Sequence, residues 1–203
     1  MPRVFDETMN VPSSTFLFTC QGETHKARER REQTGWLDRY APADKTGIDI
    51  GCRRDPLHPT FRRWDLVFED SDATYLSDIE PETFHTVYSS HLLEHLNHPE
   101  VAIKRWYEVL KRGGHLIIVV PHRDLYEQRR ELPSKFNIDH KYFWMPDEEE
   151  PPVTKSLKKE VLAAIPDADI VSLVILDDGY EPNSGSDDCP VGEFSIEIII
   201  RKP

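Results

Sequence analysis

The chain has 203 residues, enough for one α/β core and too few for two full enzymatic domains. Its formal charge of −12 argues against a long duplex nucleic acid as partner, because phosphate backbones select broad faces of clustered Lys and Arg. Three cysteines, Cys20, Cys52 and Cys189, stand far apart in no metal-like spacing, which fits a reducing compartment without a disulfide framework. No apolar run approaches ~18 residues and residues 1–7 carry no basic-then-apolar leader, so a cytoplasmic chain without a membrane span is expected.

Residues 1–22 show little periodicity and read as a loose arm or as an extra strand around Thr15, Phe16, Leu17 and Phe18. Thr24 to Tyr40 reads as a helix, charged in its first half through Lys26, Arg28, Arg30 and Arg31 and apolar at Trp36, Leu37 and Tyr40. That basic run is either a solvated face or a lid for an anionic ligand. Gly47-Ile48-Asp49-Ile50 then reads as a strand that runs into the turn Gly51-Cys52-Arg53. Pro56 and Pro59 leave little room for a helix in the crossover that follows. A second acid comes at Asp65, then Ser71-Asp72-Ala73, then a strand ending in Ser89, Ser90 and His91, with a serine capping a helix expected from Leu92.

Pro99 suits the first position of the next helix, where Ile103, Trp106, Tyr107 and Leu110 make one buried stripe that Gly113 and Gly114 should end. Leu116 to Val120 is an unbroken apolar run, as in a central strand covered on both faces. Residues 123–152, dense in charges and aromatics, read as an excursion from the sheet and the expected seat of substrate selection. Lys155 to Ile165 reads as a helix, and Ile170 to Leu176 and Phe194 to Ile200 as two strands. The alternation of strands and helices is the grammar of a mostly parallel sheet.

In order and spacing, Gly47 to Arg53, Asp65, Asp72-Ala73, Ser89 to Leu96 and Leu110 to Pro121 resemble the class I S-adenosylmethionine-dependent methyltransferases, particularly the type 11, ubiquinone-biosynthesis-like group. The resemblance implies an α/β Rossmann-like methyltransferase fold over residues 1–203. Its sheet should be mostly parallel and of the seven-stranded type, with an antiparallel C-terminal strand and, here, a shortened first crossover. Residues 1–40 would form an N-terminal arm and helix, and residues 123–152 the acceptor-site excursion.

It further implies S-adenosylmethionine as cofactor and a small-molecule or saccharide acceptor with an oxygen or nitrogen nucleophile. Asp49, Gly51, Cys52 and Arg53 would pack against the methionine part, Asp65 would accept from the ribose diol, and Asp72 with Ala73 would hold the adenine edge. Ser89 and Ser90 would meet the ammonium. Where the family usually carries further glycines, this chain has Arg53-Arg54-Asp55-Pro56, and an Arg there can grip a carboxylate.

A hydroxyl acceptor must lose a proton, and His91, His122 and His140 are the candidate bases. Two other readings compete: a non-catalytic binding or scaffold module of the same fold, and a zinc hydrolase in which His91, Glu94 and His95 spell H-x-x-E-H. The zinc reading requires both imidazoles on one helical face, and His91 sits at the end of a strand. No metal is therefore expected.

Overall fold

A computed structural model describes residues 22–53, 55–68, 72–182 and 189–203. The possible strand at Thr15 to Phe18, Cys20, Arg54 and Ser71 lie outside the described residues. The stretch expected as one helix is three short ones, α1 (Glu23–Lys26), α2 (Arg28–Gln33) and α3 (Trp36–Tyr40). Gly35 supplies the second break by taking a left-handed conformation, φ 66°, that a side chain disfavours.

The sheet begins with β1 (Gly47–Ile50) and β2 (Arg62–Trp64), joined by turns and no helix among the described residues, as the two prolines foretell. Then come β3 (Phe84–Ser90), α4 (Pro99–Glu108) and β4 (Leu110–Pro121). β5 (Phe143–Met145) lies within the excursion, and β6 (Thr154–Ser156), α5 (Leu157–Ala164), β7 (Asp169–Leu176) and β8 (Ser195–Arg201) follow it. Six strands form the main sheet in the order β2-β1-β3-β4-β8-β7, and β5 and β6 form a separate parallel pair. β1 to β4 run parallel, while β8 is antiparallel to both β4 and β7.

Alternation along β4 divides the core in two. Leu116, Ile118 and Val120 pack with Trp106 and Val161 on the face covered by α4 and α5, whereas Ile117 and Val119 face Trp36, Leu57 and Phe61 on the other. The first face is a large apolar cluster. The second is covered by α3 and the helix-free crossover.

Two expected boundaries move. α4 ends at Glu108, and Gly113 and Gly114 lie inside β4, where Gly113 N–H donates to the Lys202 carbonyl at 2.7 Å. Leu110 is buried as expected, but as the first residue of a strand. The helix expected from Leu92 is a single 3₁₀ turn, Leu93–His95, with no side-chain cap. Ser89 instead donates to the Ile50 carbonyl at 3.1 Å, tying β3 to β1.

Candidate functional site

A cavity of about 660 Å³ opens beyond the carboxyl ends of β1, β2 and β3, where open α/β sheets bind their ligands. Its lining includes Gly51, Arg53, Asp65, Asp72, Ala73, His91 and His140 of the residues singled out from the sequence, together with Leu92, His95 and Lys141. A larger open concavity of about 790 Å³ lies against Asp124 and residues 128–132. It draws on one segment and on no strand end of the main sheet.

The turn after β1 is built for close approach. Gly51 has φ 81°, its N–H donates to the Trp64 carbonyl at 2.7 Å, and a Cβ there would meet the Leu92 side chain at 2.9 Å. Arg53 adopts φ 46°, a left-handed conformation at the position where the resembled family favours glycine. Its N–H donates to Asp65 Oδ2 at 2.9 Å, and Val67 N–H donates to Oδ1 at 3.1 Å. A carboxylate accepts about four hydrogen bonds, so Asp65 keeps capacity for a diol.

Asp72 Oδ1 accepts from Thr74 N–H at 2.9 Å and Tyr75 N–H at 3.1 Å, which fixes the turn. Two indoles hold the same turn by its carbonyls: Trp64 Nε1 donates to Asp72 at 3.3 Å and Trp106 Nε1 to Ala73 at 2.7 Å. The core of the domain and the adenine-edge candidate are thus mechanically one unit.

Other candidates sit elsewhere. Asp49 is buried beneath the turn and accepts from Leu57 N–H at 2.7 Å; burial pushes its pKa up to about 7, against the pull of that N–H and the Arg31 charge. Cys52 is buried and its thiol is pushed up to about 11 by burial, then by the Asp49 and Asp65 charges. Ser89 and Ser90 do not line the cavity, although the Ser90 hydroxyl is buried without a partner among the described residues. His122 is buried outside the cavity, and its Nδ1 accepts from Asp124 N–H at 3.1 Å and Leu125 N–H at 3.4 Å. That makes it the cap of a single π-helical turn, Arg123–Glu127.

The excursion contributes less aromatic surface to the cavity than its composition suggests. Phe143 and Trp144 are fully buried and Tyr142 packs against the main core. Tyr126 and Phe136 cluster with Phe194. Only His140 and its neighbours at 137–141 reach the cavity from residues 123–152.

What they bring is a group invisible to local reading. Glu94 is completely buried, both of its side-chain oxygens lack a hydrogen-bond partner among the described residues, and three imidazoles surround it. His140 Nε2 lies 3.8 Å, His95 Nε2 3.9 Å and His91 Nδ1 4.0 Å from Glu94 Oε1. Burial pushes Glu94 up to about 7, partly countered by His140. Burial drives His91 well below its ordinary range and His95 to about 4, both helped by the His140 charge. His140 is raised: burial opposes its charge, but the hydrogen bond it donates from Nδ1 to Glu127 and the charge of Glu94 outweigh it.

In the basic run at the N-terminal end, Arg30 and Arg31 are not part of a solvated face. Arg31 is buried, donating to Tyr88 Oη at 3.0 Å and to Glu197 at 3.0 Å, and Arg30 grips Glu193 with two bonds of 2.8 and 2.9 Å. Arg31 docks α2 onto β3 and β8, and Arg30 ties it to the segment just before β8.

Among the described residues no helix is long and apolar enough to cross a membrane. A family model described as "Methyltransferase domain" matches residues 31–118. A curated ubiquinone biosynthesis O-methyltransferase from Aliivibrio fischeri (strain MJ11) is 28% identical over 120 residues, covering 52% of this chain and 50% of that protein. The chain therefore spans about half the length of that relative. Among solved structures, an S-adenosylmethionine-dependent methyltransferase from Archaeoglobus fulgidus matches with TM-score 0.53 at 16% identity, covering 91% of this chain and 96% of the other. A [4+2]-cyclase, SpnF, matches with TM-score 0.53 at 12% identity over 87% of this chain and 81% of its own, so the fold alone does not fix a reaction. The family model spans the sheet from its N-terminal approach to the middle of β4 and includes every strand end that opens on the cavity; over those residues the chain is similar to the methyltransferase domain family, and its fold is that of S-adenosylmethionine-dependent methyltransferases.

Proposed function

We propose that this chain binds S-adenosylmethionine in the strand-end cavity and transfers its methyl group to an oxygen or nitrogen of a small acceptor. The observation that carries this reading is the shared lining: Gly51, Arg53, Asp65 and the Asp72-Ala73 turn lie on the same cavity as His91, His95 and His140. A volume of about 660 Å³ falls within the ~300–1,000 Å³ usual for small-molecule sites. The residues fit the cofactor. Gly51 offers backbone where a Cβ would collide with Leu92, Asp65 accepts from a diol, and the Asp72 turn is held rigid by Trp64 and Trp106.

When bound, the cofactor supplies an electrophilic methyl group on a sulfonium sulfur. The chain's own contribution is alignment, because holding two reactants in line is worth ~7–11 kcal/mol of barrier. Arg53 answers the cofactor carboxylate. For a hydroxyl acceptor, the imidazoles of His91 and His140 are the candidate proton acceptors on the cavity; His122 is set aside, since it does not line it.

Calorimetry with S-adenosylmethionine and S-adenosylhomocysteine tests the reading. Wild type should bind both, and Asp65→Ala should weaken binding ~10–100-fold, the value of a charge-assisted bond of ~1.5–3 kcal/mol. Asp65 also receives two backbone N–H groups, so far-ultraviolet circular dichroism must show the variant folded. Absence of binding by wild type would favour the scaffold alternative, and unchanged affinity in Asp65→Ala would place the ribose elsewhere.

A further inference from the structure

Glu94 poses a physical problem that methyl transfer does not solve. A buried carboxylate is tolerated when hydrogen bonds or a counter-ion replace its water, and here both oxygens are without a hydrogen-bond partner among the described residues. The three imidazole nitrogens at 3.8–4.0 Å are too far for hydrogen bonds. They are near enough to share an ion.

Ligand atoms of Glu94, His95 and His140 all lie within 4.8 Å of one another. Around a zinc ion with ligands at ~2.0–2.1 Å, neighbouring ligand atoms are ~3.3–3.5 Å apart, so only a small convergence is required. Two of the ligands are adjacent on the 3₁₀ turn Leu93–His95, and the third is brought to them by the excursion, whose Lys141 N–H donates to the Glu94 carbonyl at 2.8 Å.

The orientation of His140 is a second, independent observation. Its Nδ1 is hydrogen-bonded to Glu127, which in turn accepts from the Ser134 hydroxyl, and its Nε2 faces Glu94. A carboxylate behind a histidine in this way fixes the tautomer and turns the other nitrogen's lone pair outward, which is how metal-binding imidazoles are held.

We propose that Glu94, His95 and His140 form a binding site for a divalent first-row transition cation, with zinc as the reference metal and Glu127 as the residue that positions His140. Two imidazoles and one carboxylate are the donor set such cations take when they keep open positions for an exogenous ligand. The open side faces the cavity that His91, His95 and His140 line. On the methyl-transfer reading, an acceptor oxygen would occupy it, its proton leaving to water or to His91. H-x-x-E-H is thereby replaced: His91 is held by Ser195 at 2.8 Å, and His140 takes the place the motif assigned to it.

The test uses the full chain stripped with a chelator. Cobalt(II) is titrated in and followed by its visible absorption, zinc is titrated by calorimetry, and bound metal is counted by elemental analysis. One equivalent of each is expected, with zinc bleaching the cobalt spectrum. Glu94→Gln and His140→Ala should each abolish that equivalent, and Glu127→Gln should weaken it ~10–100-fold while leaving a one-equivalent endpoint. Failure of wild type to bind cobalt or zinc overturns the proposal, as does binding that survives both Glu94→Gln and His140→Ala. S-adenosylhomocysteine affinity measured on the same stripped protein separates the two readings: metal without cofactor binding sinks the methyl-transfer role alone, and cofactor binding without metal sinks this site alone.

Discussion

Two glutamates, Glu197 in β8 and Glu94 in the turn after β3, are almost wholly buried, at 2% and 0% exposure, and their surroundings could hardly differ more. Glu197 accepts from Trp36 Nε1 at 3.0 Å and from Arg31 at 3.0 Å, and Arg31 continues to Tyr88, whose hydroxyl meets Thr24 at 3.1 Å. Glu94 has neighbours that face it without bonding it. Burial of charge therefore does not mark a functional site; the marker is burial whose compensation is missing from the chain itself. Folding supplies partners for both oxygens of Glu197, although Arg31 Nε has none among the described residues; on the metal-site proposal Glu94 is completed by a bound cation.

The largest effect should come from breaking the completed pair. Arg31→Met leaves Glu197 buried against Trp36 alone and should cost about 3–5 kcal/mol, roughly 10 °C of Tm at this chain length. Arg31→Met combined with Glu197→Gln should recover most of that loss, because the uncompensated charge is gone. In the metal-free protein Glu94→Gln should leave Tm unchanged or raise it. A loss in Glu94→Gln as large as that in Arg31→Met would erase the distinction between the two carboxylates.

Asp49 lies between these extremes, with one backbone donor and a distant Arg31, and its pH dependence shows where on the scale it falls. Its native pKa of about 7 stands above the usual ~3.9 of an unfolded chain. Between those values the native state binds more protons than the unfolded one, so the group's contribution to stability falls as pH rises from about 4 to about 7 and then levels. Asp49→Asn does not titrate. Relative to wild type it should therefore gain a few degrees of Tm between pH 5 and pH 8, measured by thermal unfolding in matched buffers. A difference that stays constant with pH would mean that Asp49 is solvated or better paired than its burial indicates.

Much of the frame is legible in the sequence because it rests on local signals. Apolar runs with an acid and a glycine at the end mark β1, the proline at position 99 starts α4, and Pro56 and Pro59 foretell a helix-free crossover. Arg31 was unreadable for a different reason. Its partner Glu197 lies 166 residues away, so nothing local separates the run from Lys26 to Arg31 from a solvated face or a lid. Glu94 shows the same limit at the site: its motif is local, but His140 is supplied by an excursion and oriented by Glu127, and neither spacing nor composition announces that pairing. Seven of the twelve residues singled out line the cavity, from Gly51 to His140; those that do not, such as Asp49 and His122, hold the turns around it.

The smallest expected effect probes backbone strain on the cavity side. Of the non-glycine residues with positive φ, Arg53 at 46° and His91 at 51° both line the cavity. A residue with a Cβ pays about 1–2 kcal/mol in this conformation, while a glycine returns about 0.4–1 kcal/mol through the freedom it gives the unfolded chain. Arg53→Gly should accordingly stabilise the protein by about 0.5–1 kcal/mol, some 2–3 °C in Tm. The same change removes the guanidinium proposed to answer the cofactor carboxylate, so on that reading affinity for S-adenosylhomocysteine should fall as stability rises. Opposite signs in the two measurements would locate an exchange of stability for binding at this turn, and a destabilised Arg53→Gly would show instead that the arginine is held there by contacts worth more than its strain.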